Sequence, residues 1–259
     1  MSRRVRPLEG VRIIDLSMGW AGPLATRNLA DMGAHVIKVE SCERFDWWRS
    51  WEATEEWIAD NGAEKSLQYL YVNRNKQDIT LDLEHPVGRE LLLKLIATAD
   101  ALVENYSGGV LPKLRLDYPQ LKKVNPELVM VSMPAFGGTG PWSEFRAYGS
   151  TVEHSSGLPH LVGDPDQAPT MQHVAFGDAV GGLNGTAAVL TAHGISSALA
   201  KANLSISARW NAYSLWRHRE SCINRFTDKH PSVLAMRTLI THLMGSIPVM
   251  ATMLGRLFR

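Results

Sequence analysis

The sequence predicts an α/β chain: an open parallel (Rossmann-like) sheet with helices on both faces, followed by an irregular or helical tail. Three observations predict it. Short apolar runs recur along residues 11–133. Stretches with helical spacing separate them. Each strand-helix-strand unit is long enough to make the crossover that parallel pairing needs.

VRIIDL (11–16) is the first apolar run. In AGPLATRNLADMGAH, Leu24, Leu29 and Met32 can share one helix face, and Gly33 suits the C′ position, where a left-handed residue ends the helix. AHVIKVE then reads as a strand that closes the first unit. HPVGRELLLKLIATAD (85–100) reads as a helix, ALVEN (101–105) as a strand, YPQLKKVNP as a helical connector and LVMVSM (128–133) as another strand. DAVGGLNGTAAVLTA (178–192) is expected to be helical despite its glycines. Residues 41–70, with Trp47, Trp48, Trp51 and Trp57, interrupt the pattern. They fit either a mobile or substrate-facing loop or a buried aromatic cluster. One open α/β domain accounts for residues 1–192, and residues 193–259 form a separate tail.

The 259 residues carry a formal net charge of +1, with 45% hydrophobic and 20% charged side chains, an ordinary balance for a globular protein. The cysteines, Cys42 and Cys222, fit neither a disulfide framework nor a zinc site, so a reducing cytoplasm is the expected compartment. MSRRVRPLEGVR has no apolar core of a signal peptide. The near-neutral total hides a split, because residues 193–259 hold nine Lys+Arg against two Asp+Glu. A basic tail raises nucleic acid or an anionic membrane as partners. Arg237 and His242 interrupt its apolar stretch SVLAMRTLITHLMGSIPVMATMLGRLF, which argues against a spanning helix. Neither nucleic acid nor membrane is expected as a partner. His154, His160 and His173 lack metal-ligand spacing, and no metal site is expected.

Ligands of such sheets bind beyond the carboxyl ends of the strands. SMGWAGP (17–23) follows the first strand and opens the first helix, where backbone N–H groups can meet an anion. Its glycines do not make a GxGxxG fingerprint, so a nicotinamide enzyme is a weak alternative, and Glu40 reads as a solvated strand end. In MQHVAFGDAVGGLNGTAAVL (171–190), a lone carboxylate, Asp178, heads an apolar, glycine-punctuated run. Taken alone, it reads as a helix N-cap.

Four stretches change that reading. PLEGVRIIDLSMGWAGPLATRNLADMGAHVIKVE, NRNKQDITLDLEHPVGRELLLKLIATADALVENY, the region around AYGSTVEHSSGLP, and FGDAVGG stand in the order found in family III CoA-transferases, the group of formyl-CoA and carnitinyl-CoA transferases. The chain resembles that family from residue 7 to about 192. The resemblance implies that Asp178 is the nucleophile, carrying first an acyl anhydride and then a CoA thioester. It implies CoA contacts at Trp20, Ala21, Lys76, Asn105, Tyr106 and Lys113, with both lysines toward the phosphates. Tyr148 is implied at the acyl site, and Gly177, Gly181 and Gly182 as the small neighbours that allow close approach. Acyl-CoA and a carboxylic acid are then the partners; CoA enters as substrate, and no tightly bound cofactor is implied. Some relatives have Gln at Trp20 and Arg at Cys42. α-Methylacyl-CoA racemases carry a His in a Gly-His-Asp motif where this chain has Ala147-Tyr148-Gly149, so transfer is preferred over racemisation. A CoA-binding module without chemistry is the remaining alternative.

After Ala192 the resemblance stops, and the amino acids themselves suggest why. LAKANLSISARWNA (199–212) can be encoded so that the frame shifted by one base reads Gly-Lys-Gly-Gln-Phe-Ile-Asp-Leu-Ser-Gln-Val-Glu-Cys. That is the segment expected next in the family. The expectation is a net loss of one base, or gain of two, near codon 192, leaving residues 193–259 out of frame and poorly packed. The resemblance further implies that relatives take their second domain and interlocked dimer from the replaced part. Little turnover and no interlocked dimer are expected of the chain as it stands.

Overall fold

A computed structural model describes residues 6–51, 53–162, 164, 166–171, 175–201 and 209–211. Its six strands are β1 (Arg12–Asp15), β2 (His35–Glu40), β3 (Lys76–Thr80), β4 (Ala101–Glu104), β5 (Val129–Ser132) and β6 (Arg209–Asn211). They form one parallel sheet in the order β3-β2-β1-β4-β5-β6. The helices along the chain are α1 (Ala21–Asp31), α2 (Glu55–Ala59), α3 (Gly62–Lys65), α4 (Leu67–Asn73), α5 (Pro86–Ile96), α6 (Val110–Lys113), α7 (Tyr118–Val124), α8 (Gly149–Ser155) and α9 (Phe176–Lys201), with 3-10 turns at Trp47–Ser50 and Leu158–Leu161.

Strand periodicity sends alternate residues to opposite faces. Ile13, Val36, Ala101, Val103, Val129 and Val131 face one way, onto Ala25 and Leu29 of α1 and Ala188 and Val189 of α9. Ile14, Ile37, Val39, Leu102 and Met130 face the other way, onto Leu92 and Ile96 of α5 and Leu121 of α7. Helices therefore cover both faces, as the sequence predicts. Gly33, at φ +103°, ends α1 with its N–H on the Ala30 carbonyl, as the sequence also predicts. The glycines of α9 have a packing reason. A Cβ on Gly182 would lie 2.7 Å from the Leu24 side chain, and one on Gly185 2.6 Å from Met133 Sδ, so these residues seat α9 against α1 and β5.

Three elements differ from expectation. β3 is not announced by an apolar run, because it is an edge strand whose side chains are mostly exposed. α9 starts two residues before Asp178 and runs on to Lys201, past the expected boundary at residue 192. The described part of the tail also supplies β6, paired in parallel with β5 at the sheet edge. The expectations for His173, Cys222 and the apolar stretch of the tail lie outside the described residues. Among the described residues no helix is long and apolar enough to cross a membrane.

Candidate functional site

The strand order reverses between β1 and β4, so the loops leaving their carboxyl ends diverge and open a crevice. Asn105, just after β4, closes onto the β1–α1 loop. Its Oδ1 accepts from the Met18 N–H at 2.9 Å and its Nδ2 donates to the Met18 carbonyl at 2.8 Å. A Cβ on Gly22 would fall 2.2 Å from that of Ser17 and 3.2 Å from Asn105 Cγ, so only glycine permits this approach. Trp20 and Ala21 form the joint between this loop and α1.

Beneath the loop lies a buried charge network that sequence reasoning missed. Asp15, Lys38, Asp46 and Lys76 all have side chains at 0% exposure. The Lys76 ammonium donates to Asp15 Oδ2 at 2.9 Å, to Asn73 Oδ1 at 2.7 Å and to the Pro23 carbonyl at 3.0 Å. This corrects the expected phosphate contact: Lys76 is enclosed, and its charge is spent on Asp15. Burial pulls the Lys76 pKa down to about 8 against the pull of Asp15. For Asp15, burial works against ionisation, but Lys76 and Lys38 prevail and hold its carboxyl well below the usual range. Glu40 also departs from expectation. It is not a solvated strand end, since its side chain is 9% exposed and pairs with Arg49 at 3.0 Å and with the Tyr69 hydroxyl at 2.6 Å. The available signal was in the strands themselves: Asp15 in VRIIDL and Lys38 in HVIKVE are charges inside apolar runs, which need buried partners.

Asp178 occupies the first turn of α9, where the aligned peptide dipoles favour an anion. It does not cap that helix, which corrects the isolated sequence reading. Its own N–H donates to the Ala175 carbonyl, and its half-buried carboxyl packs against Gly149, the first residue of α8, whose N–H favours the ionised form. The two helix starts meet here through glycines. A Cβ on Gly149 would lie 2.5 Å from the Asp178 carboxyl, and one on Gly177 2.5 Å from the Gly149 carbonyl oxygen. Burial pushes the Asp178 pKa up to about 6, and the Gly149 N–H only partly opposes it. A carboxylate that burial makes basic and weakly solvated can act as a base or a nucleophile.

Aromatic rings flank this point. Tyr148 precedes Gly149, is 73% exposed, and meets Trp47 edge-on at 6.2 Å. Trp47 stacks on Trp48 at 4.7 Å, both touch Trp51, and Trp48 meets Trp20 edge-on at 6.5 Å. The tryptophan-rich insertion thus forms an aromatic cluster, except Trp57, whose ring packs against Gly62. The indole N–H groups of Trp20 and Trp48 are buried and make no hydrogen bond among the described residues.

Of the expected site residues, Trp20, Ala21 and Asn105 meet at the β1–α1 loop, and Tyr148, Gly177 and Asp178 meet where α8 and α9 begin. A Cβ on Gly181 would lie 3.5 Å from Ala21 Cβ, which links α9 to the β1–α1 loop. Tyr106, half-buried, donates its backbone N–H to Glu104 at 2.8 Å, and burial with nearby carboxylates raises its phenol pKa. Lys113 ends α6 with its side chain exposed. Lys76 alone is turned inward and enclosed. Among the described residues no cluster of His, Cys, Asp and Glu could hold a metal ion.

With this geometry in hand, known proteins provide comparison. The sequence model described as CoA-transferase family III matches residues 8–197. The succinate–glutarate CoA-transferase of Agrobacterium fabrum is 39% identical over 192 residues, covering 74% of this chain and 48% of that protein. Human succinyl-CoA:glutarate CoA-transferase is 38% identical over 186 residues, covering 72% of this chain and 41% of that protein. The crystal structure of a CAIB/BAIF family protein from Brucella suis matches with a TM-score of 0.68 at 37% identity, covering 75% of this chain and 50% of that one. The chain thus spans about half the length, or less, of the relatives it matches.

Proposed function

The chain belongs to CoA-transferase family III, and from that membership we propose that Asp178 is the covalent carrier for transfer of CoA from an acyl-CoA to a free carboxylic acid. The observation that carries the proposal is the placement of Asp178: a half-buried carboxylate with its pKa pushed up to about 6, where the first turns of α8 and α9 meet beside the sheet's crevice.

A carboxylate oxygen of Asp178 attacks the thioester carbonyl carbon, forming an acyl-aspartyl anhydride as CoA leaves as thiolate. The thiolate attacks the aspartyl carbonyl, giving aspartyl-CoA thioester and releasing the donor acid. The acceptor carboxylate attacks that thioester, forming a second anhydride and thiolate. The thiolate then takes the acceptor's acyl group, and Asp178 is restored. Each half-step exchanges one acyl bond for another, so no external acid or oxidant is required. The Gly149 N–H and the α9 first turn supply donors for the developing oxyanions.

In this proposal Trp20, Ala21 and Asn105 shape the crevice that receives CoA, with Tyr106 behind them. Lys113 offers an exposed ammonium to its phosphates, and Tyr148 covers the acyl group. Gly177, Gly181 and Gly182 keep the approach to Asp178 free of side chains. Lys76 acts instead by neutralising Asp15 under the loop. The curated relatives above are named for succinate and glutarate, so succinyl-CoA and glutarate are the substrates to try first.

A shift of reading frame near codon 192 belongs to the same proposal. The gene is sequenced, and the chain is expressed as it stands and with one base restored. We expect an open family frame downstream, transfer by the restored chain, and loss of transfer in its Asp178→Asn variant. A closed frame ends the frameshift proposal. Undiminished transfer by the Asp178→Asn variant ends the role of Asp178.

A further inference from the structure

Asp46 lies outside the expected site residues, yet it joins the β1–α1 loop to the tryptophan turn. Its side chain is fully buried in the turn before Trp47. Both carboxylate oxygens accept from the Gly19 N–H at 3.1 Å. Oδ1 also accepts from the Trp48 N–H at 3.1 Å, capping the 3-10 turn that carries the tryptophans. Oδ2 meets the Lys38 ammonium at 3.2 Å, and that ammonium donates to the Ser17 carbonyl at 2.7 Å. The Asp46 N–H donates to Glu40 Oε2 at 3.0 Å, which ties the same turn to the end of β2.

We infer that Asp46 is a positioning residue: its carboxylate, held by Lys38, docks the β1–α1 loop onto the tryptophan turn so that Trp20, Trp47 and Trp48 form one rigid wall beside Asp178. Gly19 completes the joint. Its φ is +73°, and a Cβ there would enter the Trp47 ring at 2.7 Å. The joint needs a group that only accepts. Each oxygen of Asp46 faces at least two donors, so an asparagine placed either way sets an NH₂ against another donor. The chemistry thus selects aspartate over asparagine at this position, although the two have the same shape.

The inference rests on the proposed function only where CoA is concerned, and the experiment separates the two. Stacked indoles give an exciton couplet in far-ultraviolet circular dichroism, and Trp47→Phe identifies the Trp47–Trp48 contribution. Asp46→Asn is compared with Leu92→Ala, which opens a cavity on the opposite sheet face and measures general destabilisation. Below its melting temperature, Asp46→Asn is expected to lose the couplet and to weaken acyl-CoA binding, followed by calorimetry, about tenfold or more, the scale of one lost hydrogen bond to a charged group. Leu92→Ala is expected to melt earlier with both signals intact. A folded Asp46→Asn with an unchanged couplet overturns the inference, as does equal loss in Leu92→Ala. A lost couplet with unchanged acyl-CoA binding overturns the wall's role and leaves the chemistry of Asp178 untouched. Should Asp46→Asn fail to fold, Gly19→Ala decides: it is expected to lose the couplet with the carboxylate in place, and a retained couplet overturns the joint.

Discussion

Replacing Asp178 by Asn should stabilise the protein while removing the proposed nucleophile. The carboxyl rises from an ordinary 3.8 to about 6 because burial penalises its ionised form. A carboxyl whose folded pKa lies above its unfolded one costs no stability below the unfolded value. The cost grows as pH rises from about 4 and is complete above about 6. At about 1.36 kcal/mol per unit, this rise sets a ceiling near 3 kcal/mol at neutral pH. The partial solvent contact of Asp178 and the burial cost of the Asn amide reduce the expected gain to roughly 1–2 kcal/mol. For a domain of about 200 residues that is roughly 2–8 °C in melting temperature. The assay is thermal unfolding of both proteins in steps from pH 4 to pH 8. The two curves should nearly coincide at pH 4 and separate through pH 6, with the Asn variant higher. A constant difference, or a wild type more stable at pH 7.5, refutes the reasoning. The latter would mean that the first-turn dipole of α9, worth about 0.3–1 kcal/mol at exposed sites, outweighs desolvation.

Three further outcomes follow from the same geometry. Lys76→Met leaves Asp15 ionised and enclosed, so urea unfolding should show a loss of roughly 3–5 kcal/mol; weaker CoA binding at unchanged stability would return Lys76 to the phosphates. Gly149→Ala puts a methyl group into the Asp178 carboxyl and should cut transfer by the frame-restored chain about a hundredfold or more through misplacement; an active Ala variant would show that the carboxylate does not work from this position. Transfer by the restored chain should rise with pH through about 6 as Asp178 ionises, and a rate independent of pH from 5 to 8 contradicts a carboxylate nucleophile held at that pKa.

Much of the sheet was legible in the sequence because burial writes itself as apolar runs. Ile13, Ile37, Leu102 and Val131 lie on central strands with helices on both faces, so their runs are unbroken. β3 was illegible for the opposite reason: at the edge, Gln77 and Asp78 are exposed and leave no pattern. The importance of Asp178 came from the family resemblance, since its isolated signature is that of a cap. What reverses that signature is the contact with Gly149 on a separate helix, which no local pattern contains. The two charge misreadings share one cause. Lys76 and Glu40 sit at strand termini, where sequence cannot tell an ammonium facing solvent from one facing Asp15, or a free glutamate from one held by Arg49. Asp46 was missed because two of its partners are backbone N–H groups, which look the same at every position of a sequence, and the third, Lys38, lies on a separate strand. The tryptophans were noticed but ambiguous: Trp47 stacks on Trp48 in a cluster, yet Trp51 is 60% exposed, so the cluster is not buried and a substrate-facing role stays open.

The central claim is tested most directly by mass spectrometry of the frame-restored protein after brief exposure to succinyl-CoA. Peptide mapping should place a CoA thioester on Asp178, and hydroxylamine should convert it to the hydroxamate. The Asp178→Asn protein should carry neither. Transfer of CoA to glutarate with no adduct on Asp178, or with the adduct on another residue, would contradict the account.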